Sequence, residues 1–258
     1  SKLLRLNISN KSTTEKKLIF GKNNFLFLRS KINTKYNVKE KLITFKSDNS
    51  RLINSKVGYT GELSINPFDL NLNIHLNNYK ISKLFNINPI LIEFFKSGLP
   101  FNDNISLHTS IIVNSNVKNE IFHNAKINFH IINGAIHFNK TKFINNNIGS
   151  LQLINSNLFY RNNDLVFNSD ILIDIKSSEN LFSFLNTSKS SRKFFKTILI
   201  NLDYNFLTNK IKFNNVKIDN NDANVQFLTI IDGFNDNNLN NLNNSRRLLN
   251  ELFKVYAG

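Results

Sequence analysis

The chain has no cysteine, no methionine and no tryptophan, and only 3 prolines and 8 glycines among 258 residues. Without cysteine there are no disulfides, no thiolate metal ligands and no cysteine nucleophile. The few glycines form no glycine-rich phosphate loop, and no Gly-x-Ser-x-Gly, His-Glu-x-x-His or EF-hand spacing occurs. No apolar run approaches the roughly 18 residues that a membrane-spanning helix needs. Methionine is missing even from position 1. The chain is therefore expected to be a fragment or a processed product, from which a targeting signal or an anchor could have been removed. Acidic residues are also scarce, 18 against 33 basic ones, which leaves a formal net charge of +15.

What is present sets the class. Hydrophobic residues make up 41% of the chain, enough for a sizeable core. Phenylalanine occurs 24 times, and asparagine fills about one position in five. With abundant lysine and isoleucine, that bias points to an AT-rich genome and fills surface positions by default. The positive charge draws the surface toward phosphate, on nucleic acid or on anionic lipid. Its bland counterpart is a solvated lysine-rich surface.

Three hairpins between Ala125 and Asp219 organise the pattern. Asn133-Gly134 separates two alternating runs and predicts a two-residue turn, because both central residues need positive φ. That register sets Ile131 against Ile136, Phe129 against Phe138, and His130 against His137 on the opposite side. A turn at Asn162-Asn163 sets Leu158 against Phe167, Tyr160 against Leu165, and Arg161 against Asp164. A turn at Thr208-Asn209 sets Phe206 against Ile211, Tyr204 against Phe213, and Asn205 against Lys212. Each unit has one aromatic-aliphatic face and one Asn/Lys/His face, and cross-strand pairs of that kind stabilise a sheet by roughly 0.2–1 kcal/mol each.

Around them, residues 1–57 read as an all-β meander. Its strands are Leu3–Ile8, Lys17–Phe20, Phe25–Leu28, Leu42–Phe45 and Leu52–Val57, with turns expected at Gly21–Asn24 and Ser47–Ser50. The run Gly61–Tyr79 alternates but changes parity at Asn66-Pro67-Phe68, where a bulge or break is expected. Asn88 and Pro89 open a helix that stops at Gly98 and Pro100. Ile105–Asn114 is a strand. Ser177 or Ser178 caps a helix over Glu179–Leu185. Beyond Asp219, Val225, Leu228, Ile231 and Phe234 mark one helix face. Leu239, Leu242, Leu249, Leu252 and Tyr256 mark a second, and both need an apolar surface to cover. The organisation is thus N-terminal strands over 1–60, a hairpin meander over 61–219 with helical insertions near 89–97 and 179–185, and a helical tail over 220–258.

Catalytic and metal chemistry find little support. His130 and His137 could hold a metal only with a third ligand, and none is expected nearby. Asp170 and Asp174 share a strand face with Leu172 between them, which reads as a solvent side and not as a glycosidase pair. The expectation is no enzyme, no cofactor and no metal. An RNA-binding sheet needs aromatics interleaved with Lys and Arg on one face. Here the two segregate, so nucleic acid is not the expected partner.

Gly61–Leu70, Asn147–Leu158 and Ile200–Ile218 look like repeated strand pairs in which a short strand ends in a polar turn and returns. On these segments the stretch Gly61–Tyr256 resembles the C-terminal region of AsmA-like proteins, the Gram-negative envelope family that includes AsmA and TamB. The resemblance implies an elongated, curled antiparallel sheet forming an apolar groove, with phospholipid or another envelope lipid as cargo. It implies a periplasmic location at the inner membrane, through an anchor that this chain does not contain. It carries no catalytic residue. The combined expectation is a mainly β fold with a few helices and a helical C-terminal tail. Phe129, Ile131, Ile136, Phe138, Leu158, Phe167, Tyr204, Phe206 and Phe213 are expected to line the groove, and an anionic membrane surface is the second expected partner. The alternatives are an envelope scaffold whose sheet interior is packed, and a basic nucleic-acid-binding sheet.

Overall fold

The computed structural model describes residues 6–85, 89–117, 120–162, 164–208, 210–232 and 242–258. Among the described residues the fold is mainly β, with a few helices, one of them at the C-terminus. It forms two compact units, Ser1–Phe138 and Asn139–Gly258.

The first unit is a meander. Strands β1 (Leu6–Glu15), β2 (Leu18–Phe27), β3 (Ser30–Lys39), β4 (Leu42–Leu52), β5 (Ser55–Ile65) and β6 (Phe68–Asn77) pair in chain order, antiparallel throughout. Five two-residue turns join them. Then β7 (Ile105–Asn114) pairs with β6 in parallel, and β8 (Asn124–Ile132) and β9 (Ala135–His137) complete the unit. The parallel seam departs from the all-antiparallel expectation. Its physical cause is the long connection over residues 78–104, which carries α1 (Pro89–Lys96) and returns the chain in its original direction.

The expected N-terminal turns are misplaced. Gly21–Asn24 lies inside β2 and Ser47–Ser50 inside β4, while the chain turns at Lys16-Lys17, Leu28-Arg29, Glu40-Lys41 and Ile53-Asn54. Glycine here makes room for a ring. Gly21 lies opposite Tyr36 and Gly61 opposite Phe45, and a Cβ on either glycine would run into that facing ring. Ser47–Ser50 marks a bulge, where β4 carries one extra residue relative to both neighbours. The parity change at Asn66-Pro67 is the expected break. The peptide bond there is cis, and the chain reverses between β5 and β6.

The second unit holds β10 (Lys142–Asn145), β11 (Gly149–Arg161), β12 (Asp164–Ile175), β13 (Thr197–Asn205), β14 (Lys210–Ile218) and the short β15 (Asn221–Asp222), antiparallel in chain order. Its helices are α2 (Ser178–Leu185), α3 (Val225–Asp232) and α4 (Leu242–Ala257). Ser177 caps α2 by accepting from the Asn180 N–H, and Asn186 ends it in the left-handed region. Phe182, Leu185, Phe195, Val216, Ile218, Phe227, Ile231, Leu248, Leu252 and Phe253 form one buried cluster. The helices therefore cover part of the sheet, as the amphipathic tail requires. One expected face residue is misplaced: Val225 is 78% exposed, because it opens α3 and the buried stripe begins at Phe227. The expected cap Asn88, the turn residues Asn163 and Asn209, and the stripe residues Phe234 and Leu239 lie outside the described residues.

Candidate functional site

Residues directly opposite in a ladder share a face, so the register decides where each side chain goes. The first hairpin keeps its expected register: His130 pairs with His137 and Ile131 with Ile136 across Asn133-Gly134. The Phe129 and Phe138 rings meet edge-on with centroids 5.4 Å apart. The second also holds, with Leu158 opposite Phe167, Tyr160 opposite Leu165 and Arg161 opposite Asp164. The third does not. Tyr204 faces Ile211, Leu202 faces Phe213 and Asn205 faces Lys210, a slip of two residues. The Asn205 side-chain oxygen accepts from the N–H groups of Leu207 and Thr208, at 2.9 and 3.2 Å. That local turn ends β13 at Asn205, ahead of the expected reversal. An even slip preserves the faces, so Tyr204, Ile211 and Phe213 still share the apolar side. Phe206 leaves the strand, and its ring meets Tyr204 edge-on at 4.7 Å.

Seven of the nine expected residues thus lie in strands on the apolar faces of their own units, while Phe138 and Phe206 follow the ends of β9 and β13 and set their rings against Phe129 and Tyr204. Ile131, Ile136 and Leu158 are buried; Phe129, Phe138, Phe167, Tyr204, Phe206 and Phe213 are half-buried. Phe213 packs on the helix-covered cluster of the second unit. Concavities of about 360 and 350 Å³ occur elsewhere, lined largely by lysine and asparagine in one case and mixed in the other. None of the nine lines either.

The apolar face extends further than expected in the first unit. One row runs Val38, Ile43, Leu63, Leu70, Leu107, Ile131 and Ile136 across seven strands. Its first five members are half-buried and only the last two are enclosed. Ile74, Ile111 and Ile127 form a parallel half-buried row, while Val57, Leu76, Val113 and Ala125 in the next are buried. Ile19, Ile65 and Phe68 on the same face are exposed. The signal was present as alternation in residues 36–45 and 63–76. The misplaced turns hid it.

The opposite face is polar. In the second unit, Asp170 accepts from Asn155 and Asn201 at 2.9 and 2.6 Å, and Asp203 accepts from Asn168 and Asn214 at 2.7 and 2.9 Å. These carboxylates are occupied by amide ladders, which gives the asparagine bias a structural use. In the first unit, Lys11, Lys22, Lys35 and Lys46 stand directly opposite one another on β1–β4. A second row reads Leu26, Lys31, Arg51 and Lys56 on β2–β5. Neither row contains a carboxylate. Phe20 and Leu26 are exposed on this face, so the segregation of apolar from basic residues is incomplete.

His130 pairs with two histidines, not one. His108 faces it on β7, with Nδ1–Nδ1 at 3.1 Å, and His137 on β9. Among the described residues no group of three His, Cys, Asp or Glu side chains is arranged to hold a metal ion. Burial pushes the Asp219 carboxyl up, but the Thr197 and Lys196 N–H groups, the Thr197 hydroxyl and the Lys196 charge outweigh it and hold the carboxyl below its ordinary value. Burial, with the Asp219 charge, pushes the Tyr256 phenol up. No helix among the described residues is long and apolar enough to cross a membrane.

No family model, curated protein or solved structure matches the chain.

Proposed function

We propose that this chain is a non-enzymatic cell-envelope protein whose apolar sheet face receives the acyl chains of phospholipid, in the manner of the AsmA-like proteins it resembles. The observation that carries the reading is the half-open row Val38–Ile43–Leu63–Leu70–Leu107 on the first unit. Five adjacent strands present aliphatic side chains that neither water nor a packed second layer fully covers. A contiguous apolar surface of that kind is rare on a soluble monomer unless it binds something. An acyl chain would replace water along it, at about 0.8 kcal/mol per buried methylene. A periplasmic setting, with attachment at the inner membrane, follows from the same resemblance.

The packed-scaffold reading has its own observation, the helices that close the apolar face of the second unit. Leu63→Asp and Phe138→Asp separate the two. On an open face the carboxylate stays hydrated, so folding survives while the phospholipid that co-purifies, read by mass spectrometry, falls. In a closed core an unpaired carboxylate costs several kcal/mol and the melting temperature collapses. A parent protein free of lipid, with both variants unfolded, would leave the scaffold reading standing.

A further inference from the structure

We infer that the turn end of the first unit carrying Leu28 and Ile53 is a docking edge for an anionic bilayer. These residues sit in two-residue turns with φ of 52° and 56°. Glycine and asparagine suit that backbone; leucine there is uncommon, and a β-branched isoleucine is an outlier. Both are also solvent-exposed, Leu28 at 72% and Ile53 at 51%. Each position is therefore unfavourable twice, in backbone conformation and in hydration. A surface other than water relieves the second term.

The two tips are neighbours. The Ile53 N–H donates to the Ser30 hydroxyl at 3.3 Å, tying the β4–β5 turn to the β2–β3 turn. Directly behind them lies the row Lys31, Arg51 and Lys56, all exposed, with Arg29 in the first turn itself. Like charges directly opposite across strands destabilise a sheet in isolation. Against a plane of phosphates the same row becomes favourable. Aliphatic tips ahead of a basic row match a bilayer interface: hydrocarbon accepts the tips while headgroups meet the cations. A polynucleotide matches the cations but gives leucine and isoleucine nothing to stack on.

This inference rests on the lipid-handling reading and adds the surface from which the protein would reach its lipid; the two fail separately, because docking and loading are read by different measurements. The test uses co-sedimentation of the full chain with vesicles of phosphatidylcholine, with and without phosphatidylglycerol, at low and high salt. The variant L28G/I53G relieves the turn strain, so its melting temperature stays level or rises while vesicle affinity falls roughly tenfold. The variant K31Q/R51Q/K56Q loses about fivefold per cation and flattens the salt dependence. Phospholipid offered in detergent, without a bilayer, should load onto both variants as it loads onto the parent, because the apolar face is untouched. Unchanged affinity in L28G/I53G overturns the proposal. So does binding that ignores phosphatidylglycerol, or that single-stranded RNA of equal charge competes away. If the parent is instead a dimer that L28G/I53G dissolves, the tips join two copies and the bilayer is the wrong partner.

Discussion

Asp219 follows β14 with φ of 49°, and one of its carboxylate oxygens accepts from the N–H groups of Lys196 and Thr197 at 2.8 and 2.9 Å. A single side chain thus holds the start of β13 against the end of β14. Its folded value is depressed, so its contribution to stability is present above the ordinary carboxylate range and is lost as pH falls through the depressed value. Asp219→Asn should melt below the parent at neutral pH. The gap should close as pH drops below the ordinary value, because protonation then removes the same charge from the parent. A gap that stays constant with pH would show the carboxylate's charge to be idle. Glycine carries a different lesson at this scale. Gly21 reads in sequence as part of a turn, yet it and Gly61 are each a socket for a ring on an adjacent strand. That role is invisible until the pairing partner is known.

Elements whose ends are written in local chemistry were legible. Asn133-Gly134 set a turn and with it the register of β8 and β9; Ser177 set the start of α2; Pro89 and Gly98 bounded α1. The N-terminal meander was legible in class but not in boundaries, because its reversals use Lys, Leu, Glu and Ile at positive φ. There the pairing of ten- and eleven-residue strands overrides turn preference. The third hairpin was misread because Asn205 resembles any other surface asparagine. It acts through its own side chain, accepting from two backbone N–H groups of the loop. Asn205→Ala removes both acceptor contacts and the amide's donation to Asp164 at 2.8 Å. The expected cost is about 1–2 kcal/mol by chemical denaturation. A loss within error of zero would mean that the loop is held by the strands alone.

At the scale of the molecule, the same one-sided sheet pattern meets two fates. In the second unit, α2, α3 and α4 enclose it, and Leu252 is 5% exposed. In the first unit, the row through Leu63 stays half-open. Alternation alone does not distinguish these outcomes, since it specifies which face is apolar and not what lies on it. Truncation does. Leu252→Ala should cost about 2–5 kcal/mol by leaving a cavity. Leu63→Ala should cost about 1 kcal/mol, because no enclosing wall remains to be left empty. Equal losses measured by urea unfolding would mean that both faces are packed.

The parallel seam between β6 and β7 has a consequence for how the first unit assembles. Every other seam from β1 to β6 closes from a two-residue loop, so each strand can zip onto the previous one as soon as the chain turns back. The parallel seam has no such starting point, since its strands meet only after residues 78–104 have been threaded back to the same end. Loop-closure entropy is concentrated at that one boundary. It divides an array that can nucleate locally from strands that meet only through a long-range encounter, so refolding of the unit is expected to be slowest there.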